Sequence, residues 1–503
     1  MCYSLKQINL TERRIPMATE KRQPRFKQIT VLFLITVFQL LCCACVLLRQ
    51  EEISAITIYT FLGFIALEWI YMALGTVITG HDYFELEAIA FFLSGIGLTV
   101  CASFNDEFAY KQLFALILGI VVYLTVILLT KDVNVASKLR TPAAIGSILI
   151  LGANLVLAEN INGTLNWIDL GFFSIQPSEL VKVSFIFVGA VSLEKLLSST
   201  SLTKYLIFCI GCVGALFLMK DFGTALIFFF TFILIAFMRS GDVRTIFFVC
   251  TGALLCAILV FFFKDHVAAR FEAYRHVWEY MDTTGYQQSR ALIYIASGGL
   301  FGLGIGEGHV RDIYAASTDM VFALVCEEFG LIMGLIILLC FAGIAFFAIH
   351  ASKTAGSTFY TIAAVSAAGM MLFQLSLNVF GITDILPLTG VTLPFVSRGG
   401  SSMICSWGLL AYIRMASAPF VPPEADPKPI PVSRKPRTRR PAKPTDKPEE
   451  KKLPPKASTP KKQPAKKQSP KKQTSGRQAP PTVPPVKLPS NSSPKSGKGG
   501  DAK

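Results

Sequence analysis

Long apolar runs separated by short polar breaks dominate the first 417 residues of the chain. Several of these runs exceed the roughly 18 residues that a helix needs to cross a bilayer. Twelve spans are expected, at about 29–48, 56–79, 86–104, 110–130, 142–158, 177–196, 204–219, 222–238, 245–263, 320–349, 358–382 and 390–417. Backbone groups in lipid must be satisfied within their own segment, so the pattern predicts an all-α polytopic membrane bundle. The run at 320–349 is the longest and is expected to tilt or to extend beyond the bilayer. The first run has no small-residue cleavage site and reads as a retained helix rather than a signal peptide; Met17 offers an alternative start.

The polar breaks set an orientation. Lys and Arg concentrate before the first run (Arg13, Arg14, Lys21, Arg22, Arg25, Lys27), at 131–141 (Lys131, Lys138, Arg140) and at 239–244 (Arg239, Arg244). Counted from a cytoplasmic start, all three lie inside, and twelve spans return the C-terminus to the same side. The inner loop at 80–87 is an exception, with acidic residues and His81 only. Three unusual segments then lie outside: 159–176, 264–318 and 383–398. The middle one begins charged and aromatic and ends apolar and Gly-rich, "ALIYIASGGLFGLGIGEGHVRD". No preceding strand and no G-x-G-x-x-G spacing support a nucleotide loop there. A re-entrant or interfacial segment, whose glycines permit close backbone approach, fits better.

Composition agrees with the membrane reading and adds a boundary. Residues are 52% hydrophobic and mean hydropathy is +0.52, too apolar for a soluble chain of 503 residues. The net charge of +15 is local: residues 419–503 hold 22 Lys and Arg, 6 Asp and Glu, and 21 of the 27 Pro. The expected organisation is a basic N-terminal segment (1–28), a helix pair (29–85), a membrane core (86–418) and a disordered Pro/Lys-rich cytoplasmic tail (419–503). The tail suits anionic lipid or cytoplasmic proteins better than nucleic acid. The 12 Cys fall almost entirely inside apolar runs and read as packing residues, not as a metal or disulfide framework.

Carboxylates in apolar runs need a reason, because charge is costly in lipid. Asp319 opens the run "STDMVFALVCEEFGLIMGL" at the outer lip. Ser-Thr-Asp before an apolar run is a helix N-cap signal, and a carboxylate there is also placed for general-base chemistry. On a helix, Glu327 lies about 80° and Glu328 about 180° round from Asp319, roughly 12–14 Å deeper. A close carboxylate dyad is therefore disfavoured, and both Glu are expected to serve the bundle interior. Glu68, in the second run, is expected to make an interhelical hydrogen bond.

Five blocks, in order, carry a resemblance: "NWIDLGFFSIQPSELVKVS" (166–184), "KDFGTAL" (220–226), "GYQQSRALIYIASGGLFGLGIGEG" (285–308), "STDMVFALVCEEFGL" (317–331) and "FQLSLNVFGITDILPLTGVTLPFVSRGGSS" (373–402). Together they resemble the SEDS family of bacterial cell-wall polymerases (FtsW, RodA and SpoVE). The chain departs from the family pattern at Asn166 (usually Arg), Lys220 (Pro), Ser317 (His) and Arg398 (Tyr), and between Arg275 and Gly285, which is shorter than usual. Family members commonly have ten spans, the first matching 86–104, so the pair within 29–85 looks added.

The resemblance implies a peptidoglycan glycosyltransferase in division, elongation or sporulation. It would polymerise lipid II, an undecaprenyl-pyrophosphate-linked disaccharide peptide, at the outer face of the bacterial cytoplasmic membrane. Asp319 matches the family's essential Asp and is the expected base. Candidate substrate-binding residues are Lys182, Arg270, Arg275, Arg290 and Arg398 as cations for the pyrophosphate, with Glu179, Trp167, Gln287, Ser397, Gly399, Gly400 and Ser401 from the matched blocks. A Lys182–Glu179 pair on one helix face is an equal expectation for those two. No His/Cys/Asp cluster has metal-ligand spacing; a divalent cation near Asp319 stays open. A class B penicillin-binding protein is the expected partner, since the blocks include no transpeptidase. A lipid II flippase and a non-catalytic scaffold are the alternatives.

Overall fold

The structure, a computed structural model, describes residues 25–50, 52–79, 84–161, 164–169, 171, 174–194, 199–240 and 273–417, together with Phe247 and Thr251. The span expected at 245–263, Arg270 and the tail from 418 lie outside the described residues. Everything below belongs to one compact unit, Met1–Asp426.

The helices in chain order are α1 (Arg25–Arg49), α2 (Ala55–Thr79), α3 (Glu85–Phe104), α4 (Asp106–Thr130), α5 (Val133–Leu157), α6 (Pro177–Glu194), α7 (Ser199–Leu218), α8 (Phe222–Ser240), α9 (Tyr286–Gly298), α10 (Val321–Glu328), α11 (Leu331–Thr354), α12 (Thr358–Ile382) and α13 (Gly400–Ala416). Eight of them (α1–α5, α8, α11 and α12) are long and apolar enough to cross a membrane. Of the other expected spans, α6 carries Glu179 and Lys182, the apolar part of α7 is confined to Thr203–Leu218, and α13 has 17 residues. Between α5 and α6 a small antiparallel sheet appears that the hydropathy pattern does not signal: β1 (Glu159–Ile161), β2 (Thr164–Asp169) and β3 (Ser174–Ile175), in that order.

At the centre runs α13, buried from Ser401 to Ala416. Small residues let its neighbours close in. Trp407 packs on Gly119 of α4, and Gly408 faces Val183 of α6. Near its end Arg414 forms a buried ion pair with Glu87 of α3, donating through Nε to Oε1 at 2.7 Å and through a second nitrogen to Oε2. Tyr123 and Tyr71 also donate to that carboxylate, at 2.5 and 3.1 Å. Glu87, counted in sequence with the acidic loop at 80–87, is thus inside a helix and neutralised.

The helix pair α1–α2 packs on α3 and α4. Gln39 donates to Glu68 at 2.5 Å, the expected interhelical bond. Gln50 and Ser54, between the two helices, and Thr57, in the first turn of α2, all donate to Asp106 at the start of α4. Arg49 reaches Gly306 O at 3.0 Å and Glu307 at 2.5 Å.

The single span expected at 320–349 is two helices, broken at Gly330, whose φ is 90°. The Gly-rich loop fills the break. Leu303 and Gly304 donate to the carbonyls of Glu327 and Glu328 at 2.9 and 3.0 Å, and Leu331 donates to Gly299 O at 2.9 Å. A Cβ on Gly302 or Gly330 would come within 2.3 Å of main-chain oxygen, so only glycine permits this stitching. Glu327 accepts the amides of His309 and Val310 at 2.8 and 2.7 Å. It holds the loop, the interior role expected of it.

Candidate active site

Asp319 stands one residue before the cap position of α10, which Met320 occupies. Its own main chain is set by three contacts. Ala315, at φ 62°, starts a turn in which Thr318 and Met320 both donate to Ala315 O at 3.1 Å. Asn378 of α12 donates to Asp319 O at 2.8 Å and, through the same nitrogen, to Val391 O at 2.7 Å. The segment before α13 clasps the same turn, with Ser397 Oγ donating to Thr318 O at 2.6 Å and the Arg398 amide to Ser317 O at 2.8 Å. The carboxylate is packed beside Gly390: a Cβ there would lie 3.3 Å from Asp319 Oδ2.

Asp319 lines a cavity of about 1120 Å³. Its walls come from the start of α4 (Phe108, Lys111, Gln112), the sheet (Asn166, Trp167, Asp169), α6 (Glu179), the α7–α8 turn (Lys220, Asp221), α9 (Gln287, Gln288) and the segments 314–320 and 388–400. These are the loops that the sequence places on one side of the membrane. The far end of the bundle is marked by Tyr360, whose hydroxyl donates to the carbonyls of Thr130 and Lys131 at 2.9 and 3.1 Å.

The candidate residues divide. Asp319, Glu179, Trp167, Gln287, Arg398, Gly399 and Gly400 line the cavity. Lys182 is fully buried behind Glu179, donating to it at 2.5 Å and to Gln374 at 3.0 Å, so the helix-face pair is what the structure contains. Ser397 and Ser401 are buried and outside the lining; Ser401 Oγ accepts the Gln176 amide at 3.1 Å. Arg275 is also outside the lining, exposed, with its amide on Asp384 and its guanidinium 5.8 Å from the Tyr274 ring centre.

Several lining residues were not singled out by sequence. Asp221 caps α8, accepting the Thr224 amide at 3.1 Å and Gln176 Nε2 at 3.2 Å. Burial pushes its carboxyl up from the ordinary value, with the Thr224 amide and Lys182 opposing. Gln112 donates to Ser397 O at 3.2 Å and accepts from the Gly399 amide at 3.4 Å, which fixes the turn below Arg398. The Arg398 guanidinium lies 4.0 Å from the centre of the Phe108 ring. Asp221 was legible inside the "KDFGTAL" block, and Asn378 as one of two amides, with Gln374, in an apolar run. Among the described residues, no three His, Cys, Asp or Glu side chains are grouped to hold a metal ion.

Comparisons with known proteins bear on this arrangement. The family described as cell cycle proteins, of FtsW, RodA and SpoVE, matches residues 88–418. The stage V sporulation protein E of Bacillus subtilis is 32% identical over 263 residues, covering 51% of this chain and 71% of that protein. The probable peptidoglycan glycosyltransferase FtsW of the same organism is 28% identical over 374 residues, covering 67% and 92%. Among solved structures, a peptidoglycan synthase complex superposes with a TM-score of 0.55 at 22% identity, covering 67% of this chain and 97% of its own. The crystal structure of the rod shape determining protein RodA of Thermus thermophilus does so with a TM-score of 0.50 at 24% identity, covering 67% and 96%. The match begins at residue 88, inside α3, and so leaves out α1 and α2. With its helical bundle, its ordered sequence blocks and a family match over 88–418, this multi-pass membrane protein belongs to the FtsW/RodA/SpoVE family.

Proposed function

We propose that this chain is a peptidoglycan glycosyltransferase that polymerises lipid II into glycan strands, in division, elongation or sporulation, with Asp319 as its general base. The observation that carries the reading is the setting of Asp319: a carboxylate with its main chain pinned by Asn378 and by the turn at Ala315, lining a cavity of about 1120 Å³. That volume exceeds the roughly 300–1,000 Å³ of ordinary small-molecule pockets and suits an oligosaccharide. Relatives named peptidoglycan glycosyltransferase support the same activity.

In this reaction a sugar hydroxyl of one lipid-linked chain attacks the anomeric carbon of another. The Asp319 carboxylate takes the hydroxyl proton as the new C–O bond forms. The bond from the anomeric carbon to the diphosphate oxygen breaks, and its electron pair leaves with polyprenyl diphosphate. Negative charge that builds on the leaving group needs cations near the cavity, a role for Arg398. Glu179 and Lys182 neutralise each other and shape the wall; Trp167 and Gln287 face the sugars. Ser397, Gly399, Gly400 and Ser401 form the turn that carries Arg398.

In this reading the cavity end of the bundle faces outward and both termini lie in the cytoplasm. Residues 86–418 form the catalytic core, 29–85 an added pair and 419–503 a tail for anionic lipid or cytoplasmic proteins. A class B penicillin-binding protein supplies cross-linking; the structural relative described as a synthase complex of polymerisation and crosslinking supports this pairing. The test is purified protein, with that partner, given labelled lipid II in vesicles. Glycan ladders are expected. Movement of lipid II across the vesicle without ladders would make the chain a transporter, and neither result with any partner would make it a scaffold.

A further inference from the structure

Four charged side chains on or just behind the cavity wall are cations, and they differ in what their charge does. Lys111 is paired with Glu107 at 2.7 Å, and Lys182 with Glu179 at 2.5 Å. Lys220 and Arg398 both line the cavity and make no ion pair among the described residues. Lys220 is exposed, and its backbone sits at φ 61°, a conformation costly for a side chain other than Gly or Asn. Two main-chain bonds hold it there: its amide to Phe217 O at 3.1 Å and the Asp221 amide to Leu216 O at 3.0 Å. They are the bonds of a Schellman cap that closes α7, so the helix end fixes the place of Lys220 on the cavity wall.

The Lys220 turn is also close to Asp319 through one shared segment. Gly223 packs against Thr389 and Val391, and Gly390 between them packs against the Asp319 carboxylate. A third group points the same way. Asn166 is 8% exposed, lines the cavity, and its Oδ1 has no hydrogen-bond partner among the described residues. A buried acceptor without a donor is unfavourable unless a ligand supplies one. Asn166, Lys220 and Arg398 are three of the four positions at which the sequence departs from its family pattern. The fourth, Ser317, accepts the Arg398 amide. Three of these four positions therefore line one cavity, and Ser317 is buried outside its lining.

We infer that Lys220, a second unpaired cation on the wall that Arg398 also lines, binds an oxyanion of the lipid-linked substrate, and that the Asn166 amide hydrogen-bonds the same molecule's sugar–peptide part. The inference rests on reading the cavity as the glycosyltransferase site. It makes these positions the substrate-specificity set of this chain: the fixed positive charge sits at 220 and 398, and position 166 is neutral. The oxyanion is either the diphosphate or a carboxylate of the stem peptide, and the two are separable.

The experiment uses the full-length protein in two backgrounds. Lys220→Gly removes the charge and suits the left-handed backbone; Lys220→Arg keeps the charge. In polymerisation, Lys220→Gly is expected to raise KM for lipid II about tenfold with kcat within about twofold, and Lys220→Arg to restore it. In an Asp319→Asn background, which removes turnover, binding of labelled lipid II is measured directly. Lys220→Gly should weaken it by the same factor. If undecaprenyl diphosphate then competes about tenfold less well, the diphosphate is the ligand. If the loss appears only with lipid II whose stem carboxylates are free, and not with the amidated form, the peptide carboxylate is. Asn166→Leu, which removes both the acceptor and the Nδ2–H donors of the amide, should weaken binding of lipid II more than it weakens competition by undecaprenyl diphosphate, which lacks the sugar–peptide part. Lipid II binding by Lys220→Gly equal to that of the parent overturns the inference while the polymerase reading stands. Wild-type protein that neither binds nor polymerises lipid II fails the polymerase reading itself, and the subsite with it.

Discussion

Asp319 owes its position to neighbours that act on its main chain: Asn378 at its carbonyl, the turn from Ala315, and Ser397 and Arg398 one and two residues before it. Its sequence context resembled a helix cap, yet the cap position falls on Met320, because the turn from Ala315 ends one residue later than the polar run suggests. The residue was legible from charge and apolar patterning; its supports from Asn378 and Ser397 were not, since those lie about 60–80 residues away in sequence. Asn378→Leu removes the support without touching the carboxylate, and kcat is expected to fall at least about tenfold with KM little changed, as for loss of a positioned group. Asp221 makes a pH prediction. Its folded-state carboxyl is raised by burial, so the protonated form is favoured by folding. The contribution is present below the unperturbed value of 3.8 and is lost as pH rises through the raised value. The Tm of wild type minus that of Asp221→Asn should therefore fall as pH increases from about 4 toward neutrality; a difference that rises over that range contradicts the shift.

The Gly-rich loop and the broken helix α10–α11 form one unit. Hydropathy reads 320–349 as continuous because the break lies in backbone conformation, at Gly330 with φ 90°, and not in polarity. The same pattern did expose the loop's glycines as sites of close approach, and the main-chain bonds from Leu303 and Gly304 to Glu327 and Glu328 are that approach. The sheet at 159–175 escaped detection because its strands have two to six residues, too few for an alternation to register. Gly302→Ala and Gly330→Ala should each destabilise the protein by at least about 1–2 kcal/mol from the left-handed backbone alone, with the contact to main-chain oxygen adding more. Gly146→Ala in α5, where a Cβ meets nothing within 4 Å, should be neutral or stabilising by about 0.4–1 kcal/mol. Thermal unfolding in detergent compares all three, and equal stability across the set would contradict the stitched-loop account.

Across the whole bundle, two features fix how the chain sits. At the end away from the cavity, Glu87, Arg414, Tyr123 and Tyr71 form one buried polar cluster that ties α2 to α3, α4 and α13. Removing one partner of such a pair costs about 3–5 kcal/mol, so Arg414→Met should be severely destabilised and the Glu87→Met, Arg414→Met double variant much less so; a double variant worse than the single would contradict the pairing. At the cavity end, the loops that hold Asp319, Lys220 and Arg398 converge. The fold class and the grouping of these loops at one end of the bundle were legible in the spacing of apolar runs, because lipid leaves the backbone few alternatives. The convergence of particular side chains depends on packing between distant helices, which spacing does not encode. The central claim is that Asp319 is the base of glycan polymerisation. The most direct measurement is the initial rate of lipid II polymerisation by full-length protein with its penicillin-binding partner, for wild type and Asp319→Asn. A fall of about 10²–10⁴ in rate, with lipid II binding and Tm retained, is the predicted result; polymerisation by Asp319→Asn at close to the wild-type rate would contradict it.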